Sequence, residues 1–203
     1  MDLNDFVLAH LPPPPVRVLE VGCGQGELAL ALAHAGYDVL GIDPDAPEGE
    51  IFRRVTLEEF DHPGPFDAAV AVRVLHHLGP LEPAVEKLAR LAPLLVLDEF
   101  APERLDARAR AWYDAHRGTL EDPAGPPDLD HWHEEHPDLH PSDTVLAAVR
   151  AHFDEGLLQW RPYFFRWLRN PESEDAERAA IEAGDLPALG YRWVGTGRGV
   201  TGS

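Results

Sequence analysis

Between residues 16 and 100, apolar and polar positions fall into alternating blocks that read as strand and helix in turn. Val16, Val18, Leu19 and Val21 are a short run of strand formers, and the Leu-Ala repeat over 28–33 is strongly helical. A second strand runs through Tyr37, Val39, Leu40 and Ile42 to end on Asp43. Pro44, Asp45, Pro47 and Gly49 then mark a loop, and residues 51–55 read as a third strand. The run over 66–72 becomes continuously apolar, which suits a central strand buried on both faces. Val85, Leu88 and Leu91 lie at helical spacing in a helix over 81–91 that Pro93 ends, and residues 94–97 form a fifth strand delivering Asp98 and Glu99. At the front, Leu3, Phe6, Val7 and Leu11 predict a short helix closed by the prolines at 12–15.

Beyond residue 100 the pattern loosens. Residues 103–116 read as a helix with Leu105, Ala109, Trp112 and Tyr113 on its apolar stripe, and residues 118–141 as a loop rich in proline, acid and histidine. Ser142 is the expected cap of a helix carrying Val145, Leu146 and Val149. Residues 153–168 hold the densest aromatic run, part of it a sixth strand, with Trp160, Tyr163 and Arg166 late enough to reach a substrate side. A helix over 174–183, a final strand near 191–195 and a loose tail over 197–203 complete the chain. Strands alternating with helices imply an α/β fold with a largely parallel sheet. The expected organisation is a single domain over 1–203 with a lid-like insertion at about 101–141.

Composition narrows the function classes. With 44% hydrophobic residues in 203, the chain can close one substantial core. A formal net charge of −19 disfavours phosphate backbones and anionic lipid surfaces, so neither nucleic acid nor membrane is expected as a partner. No apolar run approaches the roughly eighteen residues of a membrane span, and the acidic start lacks the features of a signal peptide. Cys23 is the single cysteine, which points to a reducing, cytoplasmic setting; its place in a tight turn reads as packing before redox chemistry.

The chemistry concentrates where the first strand breaks into Gly22-Cys23-Gly24-Gln25-Gly26. Glycines there let the backbone turn sharply and let a ligand approach the peptide groups. The spacing is shorter than the G-x-G-x-x-G pattern that seats a pyrophosphate, and Glu20 would repel one while suiting an ammonium group. A nicotinamide-dependent oxidoreductase is therefore disfavoured. Asp43, ending the second strand, stands where a carboxylate can accept hydrogen bonds from ribose hydroxyls.

Taken together, the segments 20–26, 41–43, 66–78 and 94–99 resemble, in order, the motif set of class I S-adenosylmethionine-dependent methyltransferases of the small-molecule type 11 or type 12 branch. The resemblance covers about residues 16–100. It implies a Rossmann-like sheet of seven strands, mostly parallel, with helices on both faces and an antiparallel last strand. It implies S-adenosyl-L-methionine as cofactor, held by Glu20, Gly22, Cys23, Gly24, Gly26, Asp43, Pro44, Thr56, Leu57, Val72 and Arg73. Thr56 stands where the family often has an acid facing adenine, a departure that Glu58 or the Leu57 amide would have to cover. The activity implied is methyl transfer to a hydroxyl, amine or carbon of a small molecule, with His77 the first candidate base and His76 and Glu99 behind it. The first helix, with Phe6 and His10, can close over the cofactor in similar enzymes. The alternative is a non-catalytic cofactor-binding regulator, for which a sealed pocket without a reachable polar group would speak.

The histidines at 131, 133, 136 and 140 alternate with acids and raise a metal site. Their spacing matches no zinc pattern and Pro137 keeps His136 and His140 off one helical face, so no metal is included in the expected site. A polar lid, or a hydrogen-bonding group for substrate, are the other readings of the segment.

Overall fold

A computed structural model describes residues 1–62, 64–117, 128–168, 170 and 172–198, apart from the side chains at 130, 131 and 133. In chain order, α1 (Leu3–His10) precedes β1 (Arg17–Val21), α2 (Glu27–His34), β2 (Asp38–Asp43), β3 (Phe52–Arg54) and β4 (Ala68–Val72). Then come α3 (Leu81–Leu91), β5 (Leu94–Phe100), α4 (Ala107–His116), α5 (Leu129–Glu135) and α6 (Ser142–His152). β6 (Phe153–Arg161), α7 (Phe164–Leu168), α8 (Glu172–Ala183) and β7 (Gly190–Gly197) follow. The strands form one sheet in the order β3-β2-β1-β4-β5-β7-β6, and β7 runs antiparallel to both of its neighbours. This is the expected Rossmann-like sheet of seven strands, mostly parallel, with an antiparallel last strand.

Strand order reverses between β1 and β4, which leaves a crevice beyond their carboxyl ends. β4 can sit centrally because its Ala68, Ala69, Val70 and Ala71 are small and fully buried. On one face α3 and α6 pack Val85, Leu88, Val145 and Val149 against the sheet; on the other, α1 and α2 bring Phe6, Val7, Ala29 and Leu32. A third cluster sits above the ends of the central strands, where Phe100 meets Tyr113, Tyr163, Phe164, Trp132 and Trp167.

The second half departs from its sequence reading in several places. Within the expected loop over 118–141, Leu129–Glu135 is a helix. Its polar composition hides that, but Leu129 and Trp132 bury an apolar face in the aromatic cluster and tertiary packing supplies the stability. Residues 118–127 lie outside the described residues, as do 199–203 of the expected tail. The helix expected over 103–116 is divided into a 3-10 turn at Pro102–Arg104 and α4, because Asp106 caps α4 through the Arg108 and Ala109 amides. Ser142 does not cap α6. Pro141 holds that position, and both the Ser142 amide and hydroxyl donate to the Glu103 carboxylate instead. The aromatic run is shared between β6 and α7, whose first amides, with that of Tyr163, bond the buried Glu177 carboxylate. Among the described residues no helix is long and apolar enough to cross a membrane.

Candidate active site

The glycine loop leaves β1 at Gly22, where φ is +71° and an added Cβ would lie 2.1 Å from Val74 Cγ2. Only glycine fits there. The Gly22 and Cys23 amides donate to the Ile42 carbonyl at 2.8 and 3.1 Å, which ties the loop to β2. Gly24, at φ +51°, faces open space instead: nothing approaches an added Cβ within 4 Å. Gly26 stands outside the cavities as the left-handed residue that starts α2. The Cys23 thiol is pushed up to about 12, first by burial and then by Glu20 and Asp43, which leaves it unreactive at neutral pH.

Two cavities open on either side of this loop. One, about 520 Å³, is lined by Gly22, Asp43, Pro44, Thr56, Leu57, Val72, Arg73, His76 and His77, with Trp132, Tyr163 and Trp167 on its far wall. The other, about 360 Å³, is lined by Glu20, Gly22, Cys23, Gly24, Val72 and Arg73 together with Leu3 and Asn4 of α1. They meet at Gly22, Val72 and Arg73, and both sizes are ordinary for small-molecule sites.

Their electrostatics differ. Glu20 is 3% exposed and its Oε2 has no hydrogen-bond partner. Desolvation, opposed by the Ala29 amide and reinforced by Asp43, pushes its carboxyl up to about 8. A buried acid with an idle oxygen, on a residue that lines a cavity, is suited to a cation brought by a ligand. Asp43 is held by the Gly24 amide at 3.1 Å and the Asp45 amide at 2.8 Å. Thr56 spends its hydroxyl in a turn with Glu59, accepting from the Glu59 amide and donating to its carboxylate. The Leu57 amide, beside it, donates to nothing among the described residues.

Beyond β4 the chain turns through Arg73, φ +57°, into a 3-10 turn over Leu75–His77. Glu99, fully buried on β5, organises this turn: one oxygen accepts from the Val74 and Leu75 amides at 2.9 and 2.7 Å, and the other accepts from His76 Nδ1. With Nδ1 as donor, Nε2 of His76 is left with its lone pair and bonds nothing among the described residues. Glu99 itself lines neither cavity. His77 lies at the mouth with His76 and His136 against it. Partial burial and then those two imidazoles push it down to about 4, with Glu99 opposing.

Among the described residues no group of three or more histidine, cysteine or acidic side chains gathers as a metal site. His136 donates from Nδ1 to the Trp132 carbonyl and stacks on that indole. His140 clamps the 3-10 turn, its amide on the His76 carbonyl at 2.9 Å and its Nε2 on the Leu78 carbonyl at 2.7 Å. The side chains of His131 and His133 lie outside the described residues. Nor is the pocket sealed against polar chemistry, since Arg73, His76 and His77 line it.

Sequence reasoning did not find the tryptophan wall or the hub at Asp98. Trp132 sits in a segment read as loop and Trp167 in a run read as core. Asp98, 2% exposed, bonds Arg161 at 2.9 Å, Arg166 at 2.8 Å and Arg192 at 3.0 Å. The one signal for it is its position at the end of a central strand.

Comparison with known proteins agrees with this geometry. A family model described as a methyltransferase domain matches residues 2–144. The ubiquinone biosynthesis O-methyltransferase of Alkalilimnicola ehrlichii is 37% identical over 91 aligned residues, covering 37% of this chain and 36% of the relative. That of Xanthomonas campestris pv. campestris is 33% identical over 89 residues, covering 36% and 37%. The chain thus spans about a third of the length of these curated relatives. Among solved structures, an S-adenosylmethionine-dependent methyltransferase from Mesorhizobium loti superposes with a TM-score of 0.61 at 16% identity, covering 96% of each chain. The N-methyltransferase NodS from Bradyrhizobium japonicum, in complex with S-adenosyl-L-homocysteine, gives 0.58 at 14%, covering 97% of this chain and 86% of its own. These structures share the fold, and the family model carries the conclusion: the chain belongs to the family of methyltransferase domains.

Proposed function

We propose that the protein transfers a methyl group from S-adenosyl-L-methionine to a hydroxyl, amine or carbon of a small molecule. The observation that carries this reading is Glu20, a buried acid with an idle oxygen on a residue that lines a cavity, beside Gly24, where an added Cβ would meet nothing within 4 Å. An α-ammonium group satisfies Glu20, and Gly24 leaves room for the chain behind it. Asp43, already oriented by two amides, takes ribose hydroxyls, and the free Leu57 amide takes an adenine ring nitrogen. Relatives named as O-methyltransferases and a neighbour solved with S-adenosyl-L-homocysteine support the same cofactor and a small acceptor. The single buried cysteine supports a cytoplasmic setting.

When bound, the cofactor supplies an electrophilic methyl on a sulfonium. The chain's part is to orient the acceptor, exclude water and take the proton. The sequence puts His77 first as base; the geometry favours His76. Glu99 fixes the tautomer of His76 so that Nε2 can accept an acceptor proton, whereas His77 is a weakened base at the mouth. Glu99 acts by positioning. α5 serves as a lid that carries Trp132 over the acceptor.

Calorimetric titration with S-adenosylmethionine, S-adenosylhomocysteine and NAD tests the reading. Binding of the two sulfur ligands and not NAD is the expected result; binding of neither removes it. In the active enzyme, His76→Ala is expected to lower kcat by about 100-fold or more with the cofactor affinity unchanged, and His77→Ala to cost less. The reverse order would return the role to His77.

A further inference from the structure

Of the 15 arginines that are described, Arg73 is the exception: every other, and Lys87, has a partner within the protein, while the Arg73 side chain bonds nothing among the described residues. In a chain with 36 acidic residues to 17 basic ones, an unpaired guanidinium is conspicuous. It is held in place at a backbone cost, with φ +57° and its amide fixed to the Asp98 carbonyl at 2.8 Å. Among the described residues it is also the one arginine or lysine lining either cavity.

Tyr163, 5% exposed, lines the larger cavity too, and its hydroxyl likewise has no hydrogen-bond partner among the described residues. Its ring is locked by stacking on Phe100 at 4.5 Å and by the edge of Trp167 at 5.3 Å. Burial pushes the phenol up to about 12, so it stays a hydrogen-bond donor at any physiological pH. Arg161, Arg166 and Arg192 share the Asp98 carboxylate and Arg161 also meets Glu174, so these three guanidiniums are occupied within the protein. Trp132 and Trp167, with ring centroids 5.0 Å apart and planes tilted by 53°, supply an apolar corner in the same cavity.

Building on the methyl-transfer reading above, we propose that the methyl acceptor is an aromatic carboxylic acid, its carboxylate received by Arg73 and the Tyr163 hydroxyl and its ring laid against Trp132 and Trp167. A guanidinium offers a carboxylate paired, charge-assisted donors, and the tyrosine adds a third that stays neutral. The other source of a carboxylate near Arg73 is the methionine portion of the cofactor, since Arg73 borders both cavities. Tyr163 lines the larger cavity and not the one that holds Glu20, where the methionine portion would sit, and this favours the acceptor.

The test uses the full chain saturated with S-adenosylhomocysteine, titrated with benzoate and 4-hydroxybenzoate and, as neutral matches, benzamide and 4-hydroxybenzamide. The acids are expected to bind about tenfold or more tighter than their amides. Arg73→Gln should erase that preference, Arg73→Lys should keep part of it, and Tyr163→Phe should cut acid affinity about threefold to tenfold. In the same variants S-adenosylhomocysteine and methylthioadenosine should bind as in the unaltered protein. Equal binding of acid and amide, or no binding of either, overturns the proposal. So does loss of S-adenosylhomocysteine affinity in Arg73→Gln with methylthioadenosine unaffected, because that outcome assigns Arg73 to the cofactor's own carboxylate. Failure of S-adenosylhomocysteine to bind the unaltered protein is failure of the parent reading instead. The acid-to-amide ratio on the ligand-free protein then still decides whether Arg73 forms an anion site.

Discussion

Glu20 and Asp98 are both buried acids near the carboxyl ends of parallel strands, β1 and β5, and their surroundings are opposites. Glu20 has an oxygen without a partner and a carboxyl pushed up to about 8. Asp98 has three guanidiniums on its two oxygens. The first is an incomplete arrangement that a ligand finishes; the second is finished by the protein. Through its partners Asp98 joins β5 to β6, β7 and α7, and Arg192 passes the connection on to α1 through the Met1 and Asp2 carbonyls and the Phe6 ring. One acid makes a site, and the other holds the walls of that site in place. The difference teaches that burial of a charge does not identify function; the missing partner does.

The largest expected effect breaks the finished side. Asp98→Ala removes the carboxylate shared by the buried Arg161 and Arg192 and the half-buried Arg166, leaving Arg161 with Glu174 and Arg192 with the Met1 and Asp2 carbonyls. Removing one member of such a network costs about 3–5 kcal/mol. For a chain of this size that lowers the melting temperature by about 10 °C. Glu20→Gln, in the cofactor-free protein at pH 7, removes the cost of keeping protonated a carboxyl that the unfolded chain ionises, and should raise the melting temperature. Thermal unfolding of both variants measures the contrast directly. If Asp98→Ala melts close to the unaltered protein, Asp98 is not the junction described here.

The two acids also differ in how far the sequence reveals them. Glu20, the alternate glycines and Asp43 act through their own backbone neighbourhood, within a strand and the turn that leaves it, so their spacing carries the information. The seven-stranded, mostly parallel sheet and its antiparallel last strand likewise came from the resemblance that motifs in the first hundred residues carry, whereas the strand order came from the structure. Asp98 finds its partners at 161, 166 and 192, and Trp132 meets Trp167 across the fold. No local pattern encodes those meetings. α5 shows the same limit, because its helix depends on Leu129 and Trp132 reaching an aromatic cluster assembled from distant segments. Ser142 had the right residue type for a cap, but Glu103, 39 residues away, captured both its amide and its hydroxyl. Arg73 was legible as a rim residue, whereas its left-handed backbone and its lack of a partner were not.

The incomplete side can be sharpened by pH. Without ligand the Glu20 carboxyl titrates at about 8, so at pH 7 it is protonated in about nine molecules of ten. An ammonium group favours the carboxylate, so binding must expel that proton. Affinity for S-adenosylhomocysteine is therefore expected to rise with pH by up to tenfold per unit between about pH 6 and 7.5 and to level off near 8. Calorimetry at pH 7 in two buffers of different ionisation enthalpy should register release of about one proton, and Glu20→Gln should abolish both the release and the slope. The folding side has its own sign. A folded-state value raised above 4.5 gives stability that is complete below 4.5 and lost as pH rises through about 8, so Glu20→Gln should gain stability in the empty protein at alkaline pH. A flat affinity profile from pH 6 to 8 would remove Glu20 from the ammonium site.

The smallest effect belongs to Arg73, which stands between the two regions and shares a feature of each. Like Asp98 it is fixed by the fold, through its amide on β5; like Glu20 it offers an unpaired group to the cavity. Its φ of +57° costs a residue with a Cβ about 1–2 kcal/mol, and glycine adopts the same angle without that cost. Glycine loses part of the gain, about 0.4–1 kcal/mol, to the greater freedom of its unfolded chain. Arg73→Gly is therefore expected to raise the melting temperature, by about 2 °C. A substitution that stabilises the protein while removing a cavity-lining charge means that the arginine is kept at the expense of stability, as expected of a group that serves a ligand. Arg73→Ala, which keeps the Cβ and hence the strain, should melt near the unaltered protein and separates the backbone effect from the loss of the side chain. If Arg73→Gly and Arg73→Ala both melt several degrees lower, the guanidinium holds the fold, and Arg73 belongs with Asp98 on the finished side.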